Sequence, residues 1–521
     1  MQEKFCMKLD KFTVRIFYNI YDSQEMGDFS MMTYQSTRNA QLTASSTRAV
    51  LAGIAPDGGL YISKDLLHTQ FDWKSLLDKD TFTMAREILS VLLPEFSDMD
   101  ELVRRGYTGK FESDELTPLV KVGDRYVLEL FRGPTSAFKD VALSMLPQLI
   151  TSARKSESMA EETVILTATS GDTGKAALEG FHDVDGTKII VFYPDGGVSA
   201  VQKAQMVTQE GKNVCVCAVR GNFDDAQTGV KSIFAHCANL DLGGARLSSA
   251  NSINIGRLAP QVVYYFKAYA DLVKSGRIQV GQPVHFVVPT GNFGDILAGY
   301  FAKLLGLPVG QLVCASNAND VLTEFIATGH YDKRRPFYKT TSPSMDILVS
   351  SNLERLLYLL SEDESYVASL MEQLRTAGHY QISDEMLAKL QTLFACGCCN
   401  DATAAHTIHD VWQKHQYLCD PHTAVAWTVA DQFAAQQDDN APVVVLSTAS
   451  PYKFPTAVLH ALGHAPTDDE FAVMEQLHQL TGVDVPKGLA QLRNKKVLHH
   501  DVINREDMLE YVLTKVGNKQ W

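Results

Sequence analysis

Long apolar runs are missing from this 521-residue chain. No segment approaches the roughly 18 consecutive apolar residues that a membrane-spanning helix requires, so no membrane partner is expected. Positive charge is scarce as well. Lys and Arg number 47 against 61 Asp and Glu, a formal charge of -14. Nonspecific nucleic-acid binding needs a basic face and is disfavoured; an anionic substrate would need a local positive site. The nine cysteines are odd in number and scattered, apart from Cys396, Cys398 and Cys399, with no matched pair of CxxC motifs. Such usage fits reduced thiols in a cytoplasmic protein and offers no zinc site. His406 and His409 are three residues apart but lack an obvious third ligand, so no metal is expected. Neither GxxxxGK[ST] nor GxGxxG occurs, which removes the usual nucleotide signatures. No solenoid-type repeat and no low-complexity tract is present.

The first 31 residues are not a clean targeting segment. Arg15 interrupts the apolar stretch, and Asp10, Asp22, Glu25 and Asp28 argue against a transit peptide. Met31 and Met32 precede what reads as a fresh start, so residues 1–31 are expected to be disordered or to lie ahead of the true start. The remaining length suits more than one domain with a sizeable core. Three parts are expected: a small leading domain over 32–123, a catalytic α/β region over 124–460, and a closing helical segment over 461–521.

Within 124–460 the pattern repeats as apolar strand, polar loop, helix. TVILT (163–167), KIIVFY (188–193), the strand at 213–219, PVHFVV (283–288) and VVVL (443–446) are each followed by a polar loop or a helical pattern. Near-continuous apolar strands alternating with helices imply mainly parallel, twisted sheets covered by helices on both faces. Ligands bind such sheets at the carboxyl ends of the strands, where the polar loops lie.

Four such loops carry chemistry. Lys139 lies at a loop–helix junction behind Phe138, after the turn Gly133-Pro134-Thr135. The positive end of a helix and apolar neighbours disfavour its ammonium form, as Schiff-base chemistry requires; a solvated Lys–Asp ion pair is the plainer alternative. Thr290-Gly291-Asn292-Phe293-Gly294-Asp295 opens a helix and suits a phosphate, or is an ordinary strand–helix turn. Thr169-Ser170-Gly171-Asp172-Thr173-Gly174 has the same placement, although Asp172 could instead be an N-cap. Ser447-Thr448-Ala449-Ser450 ends the last strong strand and either hydrogen-bonds a heterocycle nitrogen or caps the strand. Arg257, just ahead of a helix at 261–273, could hold a phosphate or carboxylate. One lysine, two anion cradles and a late hydroxyl together point to pyridoxal 5′-phosphate as cofactor, with a substrate anion in the second cradle.

At these residues the chain resembles the threonine synthases of the fold-type II pyridoxal-phosphate enzymes, the tryptophan synthase β-like class. The matching stretches are YQSTRN, LAGIAPDGGLYIS, LELFRGPTSAFKDVAL, TATSGDTGKAALEGF, SANSINIGRLAPQ, PTGNFGDILAG and LSTASPYKFP, in family order from about residue 33 to 455. They are similar to the longer branch, whose members are usually described as monomers. The resemblance implies conversion of O-phospho-L-homoserine and water to L-threonine and phosphate, the last step of threonine biosynthesis. It makes Lys139 the Schiff-base lysine and proton shuttle. Gly291, Asn292, Phe293, Gly294 and Asp295 match the cofactor-phosphate loop, and Thr448 the residue facing the pyridine nitrogen. Ser170, Asp172, Thr173, Asn254 and Arg257 are weaker candidates for substrate contacts. Arg132 stands where the family often has histidine and Asn39 where it often has glycine, so no family side-chain role is carried over to either. The competing readings are a phospholyase that ends at 2-oxobutyrate, a threonine or serine dehydratase, and a non-catalytic paralogue that only binds the cofactor.

Overall fold

Strands such as VHFVVP and TKIIVFYP carry apolar side chains on both faces, and burying both faces requires a helix layer on each side of a sheet. The computed structural model describes residues 32–517 apart from 170, 238, 239, 241 and 438, so the 1–31 extension lies outside the described residues. Its strands in chain order are β1 (Tyr34–Ser36), β2 (Asn39–Ala44), β3 (Tyr61–Ile62), β4 (Leu119–Val122), β5 (Arg125–Glu129), β6 (Glu162–Ala168), β7 (Thr187–Pro194) and β8 (Val214–Arg220). They continue as β9 (Ala245–Ser249), β10 (Val284–Pro289), β11 (Val309–Ser316), β12 (His330–Asp332), β13 (His379–Gln381), β14 (Phe394–Cys398), β15 (Val443–Ser447) and β16 (Asp501–Asn504).

Two large sheets result, ordered β14-β11-β10-β15-β5-β4 and β16-β8-β7-β6-β9. Every pairing in them is parallel except β4 with β5. The loops after β5, β10 and β15 thus come from the first sheet, and those after β6 and β9 from the second. These loops therefore meet across a cleft between two sheets rather than along the edge of one.

Two strand pairings bear on the expected parts. A cut at residue 123 falls inside the β4–β5 hairpin, which turns at Gly123 with φ +63° and pairs Leu119 with Leu128. The leading part therefore ends before β4. Its own small sheet is β2-β1-β3, and its helices Thr81–Leu92 and Met99–Tyr107 share a continuous core with the main body. The closing segment is not wholly helical either. Asp501–Asn504 forms β16 at the edge of the second sheet, a short, largely exposed strand with no apolar run to reveal it.

The Lys139–Ser156 helix runs through this core, with Leu143, Met145, Leu146, Leu149 and Ile150 fully buried. Burying each such side chain contributes about 1.5–3 kcal/mol. Pro147 lies inside this helix and has no N–H to give the Leu143 carbonyl. The Asp172–Phe181 helix crosses at that point. A Cβ on its Gly180 would stand 2.0 Å from the Leu143 carbonyl oxygen and 3.4 Å from Pro147 Cγ, so only glycine fits the notch. Among the described residues no helix is long and apolar enough to cross a membrane.

Candidate active site

The loop ends enclose a cleft of about 1830 Å³. Lys139 lines it and is the first residue of its helix, only 8% exposed. Burial lowers its amine to about 8, against the pull of Asp172 and with help from Lys453 and Arg257. Its ammonium lies over the Phe138 ring, 4.5 Å from the centroid. Nζ stands 3.5 Å from Ser344 Oγ and 3.9 Å from Asp172 Oδ2.

The phosphate-type loop is built by tying its carbonyls outward. Ser350 Oγ donates to the Gly291 carbonyl at 2.8 Å, and the Asn352 backbone N–H and side-chain amide both donate to the Asn292 carbonyl at 3.0 Å. Phe293 takes the left-handed conformation at φ +61° immediately before the Gly294–Leu304 helix. The first N–H groups of that helix have no intrahelical acceptor, so an anion at the loop satisfies them. Gly291, Asn292, Phe293, Gly294 and Asp295 all line the cleft. Asp295 is less simple than a loop residue. Burial raises its carboxyl to about 6, although Tyr264 and Tyr265 donate to Oδ1 at 2.5 and 3.0 Å, and Oδ2 has no hydrogen-bond partner. An unpartnered buried oxygen beside the lysine expects a ligand.

Thr448 lines the same cleft at the end of β15, and its carbonyl accepts the Phe138 N–H at 2.9 Å, which registers it against the lysine. Arg257 also lines the cleft. Nη1 donates to the Ala250 carbonyl at 2.5 Å, Nε is buried without a partner, and burial lowers the guanidinium to about 10. A buried cation with a free donor is the local positive site that an anionic ligand needs here. Lysine, anion loop, hydroxyl and free guanidinium donor thus form a donor set that fits pyridoxal phosphate.

The other expected contacts separate. Thr173 faces the cleft, and Ser170 lies outside the described residues. Asp172 lies behind the cleft wall, not on it. Gly171, at φ +136°, occupies the N-cap position, while Thr169 Oγ1 accepts the N–H groups of Gly171 and Gly174 at 2.9 and 2.8 Å. The carboxylate, relieved of capping, turns to the two lysines. Burial would raise it, but Lys453 and Lys139, with Gln202, hold it well below the ordinary carboxylate range. Asn254 is likewise removed from the cleft. Its Oδ1 caps the Gly256 N–H at 2.9 Å and its Nδ2 donates to the Val50 and Ser249 carbonyls, so its polar atoms are used by the protein. Arg132 pairs with Glu129 at 2.6 Å and Glu112 at 3.1 Å, outside the cleft lining, whereas Asn39 lies on its rim.

Four residues join the site that sequence patterns do not mark. Ser344 bridges Lys139 and Asp172. Nε2 of His422 accepts the Ser344 N–H at 3.2 Å, so Nδ1 carries the proton and donates to Asp420 Oδ2 at 2.6 Å, a neutral tautomer that fixes the Ser344 turn. Asn251 lines the cleft with Oδ1 unpartnered, and Lys453 is buried beside Asp172. Asn251 and Lys453 lay in stretches with a readable signal, Asn251 in the polar run ahead of Arg257 and Lys453 three residues past a strand-end hydroxyl cluster.

Comparison with known proteins accords with this geometry. The family model for a pyridoxal-phosphate dependent enzyme matches residues 104–449. The threonine synthase N-terminal and C-terminal models match 33–107 and 423–503. Human threonine synthase-like 1 is 40% identical over 80% of this chain, and this chain spans 58% of that relative's length. Threonine synthase from Pseudomonas aeruginosa is 40% identical over 84% of this chain and 92% of its own. The crystal structure of pyridoxal-phosphate-bound threonine synthase from Brucella melitensis superposes with a TM-score of 0.81 at 38% identity, covering 94% of this chain and 100% of the other. The yeast threonine synthase structure gives 0.82 at 32%, covering 93% and 99%.

Proposed function

The chain belongs to the threonine synthases among the pyridoxal-phosphate dependent enzymes, and from that premise we propose that it converts O-phospho-L-homoserine and water to L-threonine and phosphate. The observation that carries the reading is the convergence on one cleft of the buried Lys139 amine, the anion-binding loop at 291–295 and the free donor of Arg257. Lys139 would hold the cofactor aldehyde, residues 291–295 its phosphate, and Thr448 would face its ring nitrogen with a neutral hydroxyl. When bound, pyridoxal phosphate supplies an electron sink that makes protons beside the amino group labile.

The protein's own groups do the rest. Lys139, with an amine near 8, is free base often enough at neutral pH to take a proton and give it back. Ser344, within 3.5 Å of both Lys139 and Asp172, offers a hydroxyl along which that proton is shared. Arg257 and Thr173, which line the cleft, would hold the substrate phosphate as it leaves, and the neutral His422 keeps the Ser344 turn in register. The scattered cysteines support a cytoplasmic setting, and the likeness to the longer branch supports a monomer.

The test is a product assay with purified protein, pyridoxal phosphate and O-phospho-L-homoserine, in which phosphate, threonine and 2-oxobutyrate are all quantified. Threonine and phosphate are expected in equal amounts. Phosphate with 2-oxobutyrate would make the protein a phospholyase, and no product from this substrate would refute the reading.

A further inference from the structure

Lys453 lies in the turn Pro451–Lys453 after β15 and is fully buried. It is absent from the cleft lining, so it touches no ligand there. Its ammonium donates to Asp172 Oδ1 at 2.8 Å and to the Thr135 carbonyl at 3.0 Å. Gln202 Nε2 shares the same Oδ1 at 2.8 Å. That leaves Oδ2 of Asp172 for Lys139, at 3.9 Å, and for the Ser344 hydroxyl, at 3.5 Å. One carboxylate therefore stands between two lysines, one hidden and one exposed to the cleft. A buried ammonium is costly unless paired, and this one is paired with a carboxylate oxygen and a backbone carbonyl.

We propose that Lys453 is a positioning residue for Lys139: it takes one Asp172 carboxylate oxygen and offsets that carboxylate's charge at Lys139, so that Asp172 orients the amine without locking it as an ammonium. Without Lys453 the whole Asp172 charge would face Lys139, and the amine would be held protonated in an ordinary salt bridge. The remaining groups facing Lys139 are Arg257 from the helix after β9, Asp295 from the helix after β10, and His422 through Ser344. Asp140, next to it in the helix, is turned away toward the Thr135 N–H at 2.9 Å and hydroxyl at 2.5 Å. Of these only the Ser344 hydroxyl reaches Asp172, at 3.5 Å on the oxygen that faces Lys139, so the bond of Lys453 to Oδ1 is separable from them.

The inference rests on the proposed function only for the role of Lys139, and its test needs neither substrate nor turnover. The full chain, freed of cofactor, is labelled with acetic anhydride over a pH series, and modification of Lys139 is counted by peptide mass spectrometry. K453M is expected to raise the Lys139 midpoint by about one pH unit or more, since an opposite charge at this distance shifts a group by about 1–3 units. K453R should keep the native midpoint. D172N should lower it, and D172N/K453M should return it close to the native value. An unchanged midpoint in folded K453M, or a double variant that keeps the raised midpoint of K453M, would overturn the proposal. Should K453M not fold by circular dichroism, the pair D172N and D172N/K453M decides alone, because neither leaves a buried carboxylate unpaired. The second must then titrate higher than the first, and equal midpoints would refute the role of Lys453. A positive outcome here with a failed product assay would leave the tuning of Lys139 intact and remove only the assigned reaction.

Discussion

A methyl group on Gly291 would meet the Ser344 carbonyl oxygen at 2.6 Å, closer than real contacts allow. The Ser344 turn and the anion loop are thus stacked backbone to backbone, and only hydrogen at that Cα permits it. G291A is expected to displace the turn at a cost of about 1–3 kcal/mol. That corresponds to a roughly ten- to hundredfold weaker hold on pyridoxal phosphate, read by equilibrium titration of the stripped protein. Lys139 gives a second expectation, in pH. With its amine lowered to about 8, the group is mostly ammonium below that value and mostly free base above it. Attachment of pyridoxal phosphate to the stripped protein should therefore accelerate as pH rises toward 8 and level off beyond, in stopped-flow absorbance. A rate still climbing steeply at pH 10 would mean that burial does not depress this amine. Lys139 was legible because an aromatic, a turn and a helix start surround it in sequence. Ser344 was not, because it acquires its meaning only from Lys139, Asp172 and His422, all far away along the chain.

Single helices and loops act here as brackets. The Leu353–Ser361 helix carries Arg355, which is fully buried and donates to the Tyr61 carbonyl at 2.9 Å, to Asn352 Oδ1 at 2.6 Å and to the Ile253 carbonyl at 2.6 Å. Arg38, beside β1, reaches Glu354 of the same helix with two bonds of 2.7 and 2.8 Å. The leading part is thereby fastened to the loop after β9 that leads into the helix bearing Arg257. R355A leaves buried acceptors unmatched, each costing about 1–3 kcal/mol. A drop of several kcal/mol in urea-derived stability is expected, with a loss of turnover beyond what unfolding explains. The strand–loop–helix alternation of the central region was readable because its strands are apolar on both faces and its loops carry glycine and hydroxyl residues. FACGC and ARLSS, which became β14 and β9, were missed because sheet-edge strands mix small and polar residues and lack that pattern. Asn254 and Asp172 were misjudged for a related reason: a polar side chain in a cleft-side loop can face the ligand or the protein, and only the packed backbone decides.

Taken whole, the molecule brings the loop ends of two largely parallel sheets together around Lys139. Parallel class and helical cover could be inferred from hydropathy alone, but the partition of strands between sheets could not, since pairing register is a long-range property that no local spacing encodes. The division has a consequence at the Pro147–Gly180 notch. Lys139 is fixed to one helix and Asp172 to another, and the two helices touch where Pro147 leaves a carbonyl bare and Gly180 has no side chain to keep it at a distance. Lys139 lies about 6 Å along its axis from Leu143, and Asp172 about 12 Å from Gly180, at 1.5 Å per residue. The notch thus works as a machinist's gauge block: its thickness, one hydrogen atom, dictates a gap between charges at the far end of both levers. G180A is expected to widen that gap with no charge altered, weakening the pull of Asp172 and moving the Lys139 labelling midpoint downward, as D172N does but by less. A midpoint identical to the native one in folded G180A would show that the helices absorb the added methyl by bending, and that the spacing of the two charges is governed closer to the site.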